Sequence, residues 1–419
     1  MNNRALFVGI DNLVRLENGN AVVPINFDNG ATTPPMKCAV EAIEKDLKWY
    51  GAIGRSKGQK NSYCTKRFDE ARTDILDFFH LGKDDTHSVV YVKSATEGLN
   101  LLAHILLHDT KGIVLTTRME HHANLIPWRE NATKVDYIDI DHMGRIRLND
   151  IEAKLRYYRG RVKVVAVSAA SNVTGYVNDI NKIARICHRY HALIVVDGAQ
   201  IVAHREVNLA GTCKEEQIDF FAFSAHKAYA PFGGGAVVGL KEYLFEMDPL
   251  LKGGGAVDQV FDYSQTWLES PERLEAGTQN YYGVISMATV LKQFKKIGFD
   301  YITKHENELK DYLIQSMMKM PNLIIYGDIY HTEDRLGIIV FNVKGKSHQD
   351  VSDALAKDMA IATRNGKFCA HPYVTRFLGI SNMPSNEDEQ DTCGMVRVSL
   401  GLYNTKAEAD RFLNYIKTM

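Results

Sequence analysis

The sequence has almost no net charge and no long apolar run. Its 50 Lys and Arg residues balance 51 Asp and Glu residues, which leaves a formal charge of -1 at pH 7. A chain so balanced has no long-range field to attract nucleic acid or an anionic membrane. No apolar stretch approaches the roughly 20 residues that span a bilayer, and the short, interrupted apolar run near the start is unlike a signal peptide. We therefore expect a cytoplasmic protein that acts on a small molecule and binds neither nucleic acid nor membrane.

Cysteine is scarce as well. Six cysteines in 419 residues are too few for a disulfide scaffold, and no two form a C-x-x-C pair. Most are expected to be reduced and partly buried, which leaves room for one to be reactive. The sequence also lacks internal repeats and low-complexity segments. Its length and its 45% of hydrophobic residues suit one large domain with a smaller one.

The order of short β-branched runs and helical patterns predicts an α/β fold. Strands are predicted at 89–92, 113–116, 163–167, 193–196 and 220–223, and helices at 71–79, 96–107 and 179–189, which indicates a mostly parallel sheet covered on both faces. Amphipathic stretches at 286–297 and 301–320 lead to strands at 337–342 and 396–400 and helices at 348–357 and 406–416. We expect an N-terminal segment (1–25) packed on the small domain, a large domain (26–290), a small C-terminal α/β domain (291–419) and an exposed loop at 382–392.

Two predicted strand ends carry residues that suggest a chemistry. Asp197 follows an apolar strand, where open α/β sheets bind ligands, although an isolated Asp there also suits a turn cap. Lys227, thirty residues later, ends the segment S-A-H-K after another apolar strand. Burial favours the neutral amine of such a lysine, and a Schiff base requires that form. Pyridoxal 5′-phosphate (PLP) needs this lysine together with an acid that keeps its ring nitrogen protonated, so that the ring accepts electrons.

Three further segments follow strands and fit a PLP site. Segment 93–100 offers hydroxyl groups and a helix amino end for the phosphate, although it also suits a plain helix cap. His121 can stack on the pyridine ring, and since no further ligand has fitting spacing beside His121-His122, we predict no metal site. Asn172 can donate to the phenolic oxygen of the cofactor or to a substrate carboxylate, or it can serve as a turn residue.

With these residues the chain resembles the class V aminotransferase superfamily, which consists of fold-type I PLP enzymes, and within it the group II cysteine desulfurases and selenocysteine lyases. The resemblance extends from the motif F-D-N-G-A-T-T at 27–33 to R-V-S-L-G-L-Y-N-T at 397–405. It implies the fold-type I architecture, with a large PLP-binding domain and a smaller C-terminal α/β domain. It also implies a homodimer with shared active sites, in which Gly277 and Thr278 reach the phosphate bound by the neighbouring subunit.

The resemblance also implies a role for each matching residue. Catalysis would fall to Lys227, which carries the Schiff base, to His121, which stacks on the ring, and to Cys369. The implied cofactor-binding residues are Ala95, Thr96, His121, Asn172, Asp197, Gln200, Ser224, His226, Lys227, Gly277 and Thr278. The substrate carboxylate would be bound by the planar guanidinium fork of Arg397, with help from Asn172 and Arg364.

Cys369, in the segment T-R-N-G-K-F-C-A-H-P at 363–372, is the deciding residue. In the family's desulfurases a cysteine here attacks the sulfur of the substrate, holds it as a persulfide and lets alanine leave. The nearby Arg364, Lys367 and His371 favour a thiolate, whereas a small buried hydrophobic residue is the plain alternative. The implied function is conversion of L-cysteine to L-alanine, with the sulfur passed to an acceptor protein.

Several alternatives stay open. A selenocysteine lyase would use L-selenocysteine, and another class V enzyme (a C–S lyase, epimerase or aminotransferase) would not use Cys369. A non-catalytic sulfur-carrier scaffold is disfavoured because Lys227, Asp197 and Arg397 are all present. The chain also departs from the common group II pattern, with Lys367-Phe368 in place of two histidines and Ser94-Ala95 in place of Gly-Thr. The glycine triplets at 233–235 and 253–255 lack the G-x-G-x-x-G spacing of a dinucleotide site and are predicted as flexible turns.

Overall fold

The computed structural model describes residues 2–54, 57–82, 85–108, 112–380 and 393–419, so the predicted loop at 382–392 lies outside the described residues. The strands are β1 (Val14–Arg15), β2 (Ala21–Val22), β3 (Ile25–Asn26), β4 (His87–Val92), β5 (Ile113–Thr117), β6 (Lys134–Ile138), β7 (Val162–Ser168), β8 (Leu193–Asp197), β9 (Phe220–Ser224), β10 (Gly235–Leu240), β11 (Val257–Val260), β12 (Gln265–Trp267), β13 (Leu323–Ile325), β14 (Ile338–Val343), β15 (Ile361–Ala362), β16 (Arg364–Gly366) and β17 (Met395–Ser399). The α-helices are α1 (Lys37–Leu47), α2 (Gln59–Phe78), α3 (Ala95–Leu107), α4 (Ile126–Asn131), α5 (Leu148–Tyr158), α6 (Ile180–Arg189), α7 (Lys241–Leu244), α8 (Tyr281–Ile297), α9 (Phe299–Met317), α10 (His348–Met359), α11 (His371–Phe377) and α12 (Lys406–Ile416).

The larger sheet is mostly parallel, as the alternation of strands and helices predicts. Within the described residues its strands run in the order β4-β10-β9-β8-β7-β5-β6, and β10 alone is antiparallel to its neighbours. The interpretation of 233–235 as a flexible turn is wrong for Gly235, which is the first residue of β10. A Cβ atom at Gly235 would lie 2.8 Å from the carbonyl oxygen of Phe223. Glycine therefore permits the close approach of β10 to β9.

Helices cover both faces of this sheet. Val165 and Val167 of β7 pack in a core with α1, α2, α5, α6 and α8, whereas Val164 and Ala166 pack in a second core with α3, α4 and α7. Successive side chains of a strand point to opposite faces, so a strand buried on both faces is a continuous apolar run. No helix in the described ranges has both the length and the apolar character to cross a membrane.

The C-terminal part of the chain forms a second, antiparallel sheet with the order β13-β14-β17-β16. Its core includes Leu313 of α9, Leu355 of α10 and Phe412 of α12. Strand β3 pairs in parallel with β15 in a separate two-stranded sheet, and Ile25 of β3 and Ile361 of β15 are buried in the same core. Arg364 of β16 and Arg397 of β17 are direct partners across the sheet.

Helix α8 runs through the expected domain boundary at residue 290. Its Leu291 and Phe294 are buried in the core of the larger sheet. The chain then turns at Gly298, which has a φ of 84°, before α9 begins. We therefore propose that the large domain extends to the end of α8.

The N-terminal segment contacts both parts of the molecule. Arg4 pairs with Glu408 of α12 at 2.7 Å, on the small domain. The ring of Phe7 packs 4.9 Å from the ring of Tyr229, which follows the segment that carries Lys227. We therefore propose that the N-terminal segment packs on the large domain as well as on the small one.

Candidate active site

The carboxyl ends of several parallel strands meet at one edge of the larger sheet. Their last residues are Thr117 of β5, Ser168 of β7, Asp197 of β8 and Ser224 of β9. Lys227 ends the short 3₁₀ helix Ala225–Lys227 that follows β9. Parallel strands end on the same side of a sheet, and ligands of open α/β folds bind there.

A cavity of about 260 Å³ opens at this edge. It brings together predicted residues from both domains, namely Ala95, Thr96, His121, Asn172, Asp197, Gln200, Ser224, His226, Lys227, Arg364, Cys369 and Arg397. Gly277 and Thr278 are not part of this lining; they lie with Tyr50 and Ala52 around another cavity. Their contact with a neighbouring subunit stays a prediction.

Asp197 and Lys227 contribute an acid and an amine to the same cavity. Asp197 is buried, and its Oδ1 accepts a hydrogen bond of 2.9 Å from the backbone N–H of Ala199. Burial raises the pKa of Asp197, while this hydrogen bond and the charge of Lys227 oppose the rise. Burial lowers the pKa of Lys227, against the attraction of Asp197. The cavity therefore favours the neutral amine that a nucleophilic lysine needs.

The His121 ring is held in one tautomer. Its Nδ1 accepts a hydrogen bond of 3.1 Å from the backbone N–H of Ala123, which leaves the ring proton on Nε2. Burial, reinforced by the charge of Lys227, lowers the pKa of His121 to about 3. The ring is therefore neutral at physiological pH and suited to stack on an aromatic face.

The amino end of α3 is hydrogen-bonded to β9, the strand that leads to Lys227. Ser94 caps the helix and accepts from the backbone N–H of Glu97 at 3.4 Å, and the backbone N–H of Ala95 donates to Ser224 Oγ at 2.7 Å. His226 Nδ1 lies 3.2 Å from the hydroxyl of Thr32, and burial lowers its pKa to about 4. A helix amino end beside hydroxyl groups is a general site for a phosphate.

Arg397 is buried, with 3% of its surface exposed. Its Nη1 donates to the carbonyl oxygen of Asn172 at 2.8 Å and its Nη2 to Asp28 Oδ1 at 2.9 Å. The Phe368 ring centroid lies 5.2 Å from its Cζ. Within the described residues, its Nε has no hydrogen-bond partner. A buried donor without a partner is rare, and Arg397 lines the cavity.

Gln200 contacts the same region from the end of β8. Its Nε2 donates to the carbonyl oxygen of Gly30 at 2.9 Å. Gly30 in turn lies against Arg397, because a Cβ atom there would come within 3.1 Å of Nη2. Gln200 is thereby fixed at the cavity wall, and its position beside the phenolic oxygen of the cofactor stays a prediction.

The Cys369 loop has an unusual backbone. Phe368 and Cys369 have φ angles of 51° and 54°, a left-handed conformation that costs residues other than glycine about 1–3 kcal/mol each. Asn172 Nδ2 donates to the Phe368 carbonyl at 2.7 Å, and the backbone N–H of His122 donates to the Cys369 carbonyl at 2.7 Å. Cys369 is exposed, so the alternative of a buried hydrophobic residue is wrong.

Residues 25–412 match the family model for class V aminotransferases. The chain belongs to the class V aminotransferase family. A protein of Halalkalibacterium halodurans named "probable cysteine desulfurase" is 32% identical over 402 residues, which are 94% of this chain and 92% of that protein. A Pyrococcus abyssi protein of the same name is 32% identical over 403 residues and 94% of each chain.

Solved structures agree with this assignment. The apo structure of a cysteine desulfurase from Thermococcus onnurineus NA1 has a TM-score of 0.83 at 31% identity and covers 94% of both chains. The cysteine desulfurase CsdA from Escherichia coli has a TM-score of 0.81 at 26% identity, with 99% of this chain and 96% of that chain covered. These matches confirm the predicted α/β architecture of fold-type I PLP enzymes.

Class V aminotransferases depend on PLP, and this cavity fits that cofactor. It combines a buried acid, a lysine shifted towards its neutral form, a neutral imidazole and a capped helix amino end. These are the groups that a protonated ring nitrogen, a covalent anchor, a ring face and a phosphate require. No group of three or more His, Cys, Asp or Glu side chains in the described part of the chain could hold a metal ion.

Two contacts of this class V site were not predicted from the sequence. Glu120 is 1% exposed and accepts hydrogen bonds from Thr117, Asn124 and Ser168 directly behind His121. The available signal was an acid just after a strand end and directly before His121 in the sequence. Asp28, which pairs with Arg397, lies in the F-D-N-G motif, but the motif alone predicts no partner for it.

Proposed function

We propose that this class V enzyme is a PLP-dependent cysteine desulfurase, which converts L-cysteine to L-alanine and holds the sulfur on Cys369. The observation that carries the proposal is that Lys227, Arg397 and the exposed Cys369 line one cavity. A lysine anchor, an amino-acid carboxylate site and a thiol are the three groups that this reaction needs. The cysteine desulfurases that match nearly the whole chain support it.

PLP bound at Lys227 would act as an electron sink for the substrate Cα. Asp197 would pair with the ring nitrogen and keep it protonated, and the neutral ring of His121 would stack on the cofactor. The phosphate would be bound by Ala95, Thr96, Ser224 and His226. The phenolic oxygen would be contacted by Gln200.

Substrate binding and proton transfer would use residues from both domains. Arg397 would bind the amino-acid carboxylate beside its unpaired Nε, with Asn172 and Arg364 at the same cavity. The amine of Lys227, neutral when the substrate has released it, would take the proton from Cα. Its lowered pKa supports that role.

Cys369 would carry the sulfur. Its thiolate attacks the substrate sulfur, so an S–S bond forms while the substrate C–S bond breaks. The electron pair of the C–S bond stays with the carbon fragment, which takes up a proton and leaves as alanine. The sulfur remains on Cys369 as a persulfide, and an acceptor protein with its own thiol would remove it.

The substitution Cys369→Ser tests this proposal. The variant should still bind L-cysteine, with a change in the visible spectrum of PLP, but should release almost no alanine. Wild-type protein trapped during turnover should carry one extra sulfur on the peptide that contains Cys369. Cys393→Ser is the matched control and should keep wild-type turnover. Alanine release by Cys369→Ser at the wild-type rate would show that the thiol is not catalytic.

Three finer proposals accompany this function. We propose a homodimer in which Gly277 and Thr278 reach the cofactor phosphate of the neighbouring subunit, and sedimentation of the holoenzyme tests the oligomeric state. We also propose a sulfur-acceptor protein and a cytoplasmic location.

Parallel assays of alanine release from L-cysteine and L-selenocysteine would separate a desulfurase from a selenocysteine lyase.

A further inference from the structure

Asp28 lies against the two arginines that we assign to the substrate carboxylate. Its Oδ1 accepts a hydrogen bond of 2.9 Å from Arg397 Nη2, and its Oδ2 lies 3.9 Å from Arg364 Nη1. Arg364 and Arg397 both line the cavity, whereas Asp28 is not part of its lining. A carboxylate of the chain therefore pairs with Arg397 from outside the cavity.

The ion pair between Asp28 and Arg397 is largely buried. The side chain of Arg397 is 3% exposed and that of Asp28 is 19% exposed, and a buried guanidinium without a counter-ion is costly. Nη1 already donates to the Asn172 carbonyl, and Nε has no partner within the described residues. The charge of Arg397 is thus compensated before any substrate arrives, while part of its hydrogen-bonding capacity is unused.

The backbone around Asp28 keeps the carboxylate in place. The Asp28 N–H donates to Asn26 Oδ1 at 2.9 Å, and Asp28 forms a β-bridge with Ser399. The N–H of Gly30 donates to Ser399 Oγ at 2.8 Å. Because Ser399 lies two residues after Arg397 on β17, the turn that carries Asp28 is fixed to the strand that carries the arginine.

We propose that Asp28 is an internal counter-ion that competes with the amino-acid carboxylate for Arg397 and keeps the affinity of the site moderate. This inference rests on the proposed function. A bound amino acid would share one guanidinium with Asp28, and the two negative charges repel each other across it. L-alanine carries the same carboxylate as L-cysteine, so the repulsion that weakens substrate capture also promotes product release. Asp28 is in this sense a residue that sets affinity through Arg397, and it does not touch the substrate.

Asp28→Asn removes the charge and keeps an oxygen that can accept from Arg397 Nη2. Binding of L-alanine to the holoenzyme would be followed by the visible spectrum of PLP and, independently, by the ligand-induced rise in unfolding temperature. We expect the variant to bind L-alanine roughly three- to tenfold more tightly than the wild type, the range for two partly screened charges on either side of one guanidinium. L-alaninamide, which has no carboxylate, should gain no affinity.

Asp74→Asn is the matched control. Asp74 pairs with Lys292 at 2.6 Å, its side chain is 21% exposed, and it is not part of the cavity lining. This variant loses an ion pair whose aspartate is as buried as Asp28, and it should bind L-alanine as the wild type does. An unchanged or weaker affinity in Asp28→Asn, or an equal gain for L-alaninamide, would overturn the proposal.

A second variant covers the case in which Asp28→Asn does not fold. Asp28→Ser is also neutral and offers a smaller acceptor, and it should again bind L-alanine more tightly. If neither variant is recovered with bound PLP, the ion pair is required for folding and its role as a competitor is wrong. A wild-type protein that neither binds L-alanine nor forms it from L-cysteine would instead refute the proposed function, which is a distinct result.

Discussion

The hydrogen bonds around Glu120 suit a carboxyl group and not an amide, and Glu120→Gln tests this requirement. Oε1 accepts from Thr117 Oγ1 at 2.6 Å and from the Ser168 N–H at 3.2 Å. Oε2 accepts from Ser168 Oγ at 2.6 Å and from Asn124 Nδ2 at 2.7 Å. Each oxygen thus meets one hydroxyl, which can turn to accept, and one amide N–H, which cannot. The Asn124 amide is itself fixed, because its Oδ1 accepts from Trp128 Nε1 at 3.0 Å.

A glutamine at this position places its NH₂ group against one of those N–H groups in either orientation. Such a contact leaves buried donors unpaired, which costs about 1–3 kcal/mol of unfolding free energy. The wild-type advantage also depends on pH, since burial raises the pKa of Glu120 from 4.5 to about 7 against the pull of its hydrogen bonds. The folded protein therefore binds this proton more tightly than the unfolded chain. That stabilisation is complete below about pH 4.5 and is lost as the pH rises through about 7.

Urea unfolding followed by circular dichroism at pH 5 and pH 8 would measure both effects. We expect the wild type to exceed Glu120→Gln by the largest margin at pH 5, and the margin to shrink by about 2 kcal/mol by pH 8. The exposed Glu130→Gln is the control and should match the wild type at both values. A margin that does not change with pH would show that the Glu120 carboxyl does not retain its proton. A margin of zero at pH 5 would refute the hydrogen-bond argument.

Two further substitutions test the cofactor site. Lys227→Ala removes the expected covalent anchor, so the purified protein should lose its visible chromophore; an unchanged spectrum, or borohydride reduction that links the cofactor to another lysine, would contradict the assignment. Asp197→Ala should keep a native circular dichroism spectrum while turnover falls by about 100-fold or more, the scale of a lost group that holds a proton. Near-normal turnover in a folded Asp197→Ala protein would place the partner of the ring nitrogen elsewhere.

The residues predicted best are those whose position depends on a local pattern. Asp197 and Lys227 each follow an apolar run, and an apolar run bounded by polar residues predicts a buried strand end. Parallel strands then bring such ends to one edge of the sheet. This reasoning gave the fold class, with strand bounds within two residues of those in the structure for β5, β7, β8 and β9. Gln200, Ser224, His226, Arg364, Cys369 and Arg397 were predicted only through the family resemblance.

Features that depend on distant contacts could not be predicted in this way. Strand β10 was missed because its antiparallel place between β4 and β9 is set by its partners, and its first glycine resembles a turn. The burial of Glu120 depends on Ser168, 48 residues away in sequence. A local pattern holds no information on whether such a partner will face the carboxyl.

The position of the Cys369 thiol depends on contacts between distant parts of the chain. Asn172 Nδ2 donates to the Phe368 carbonyl across 196 residues, while the Asn172 carbonyl accepts from Arg397 Nη1. Asn172 of the large domain therefore contacts the thiol loop through its side-chain amide and Arg397, which we assign to the substrate carboxylate, through its backbone carbonyl. Because these bonds support a left-handed backbone that would otherwise be unfavourable, they help to set the spacing between Arg397 and Cys369. Under the proposed function, the distance between the carboxylate and the sulfur of a bound amino acid must match that spacing, so we propose that the contacts of Asn172 favour a short thiol-bearing substrate.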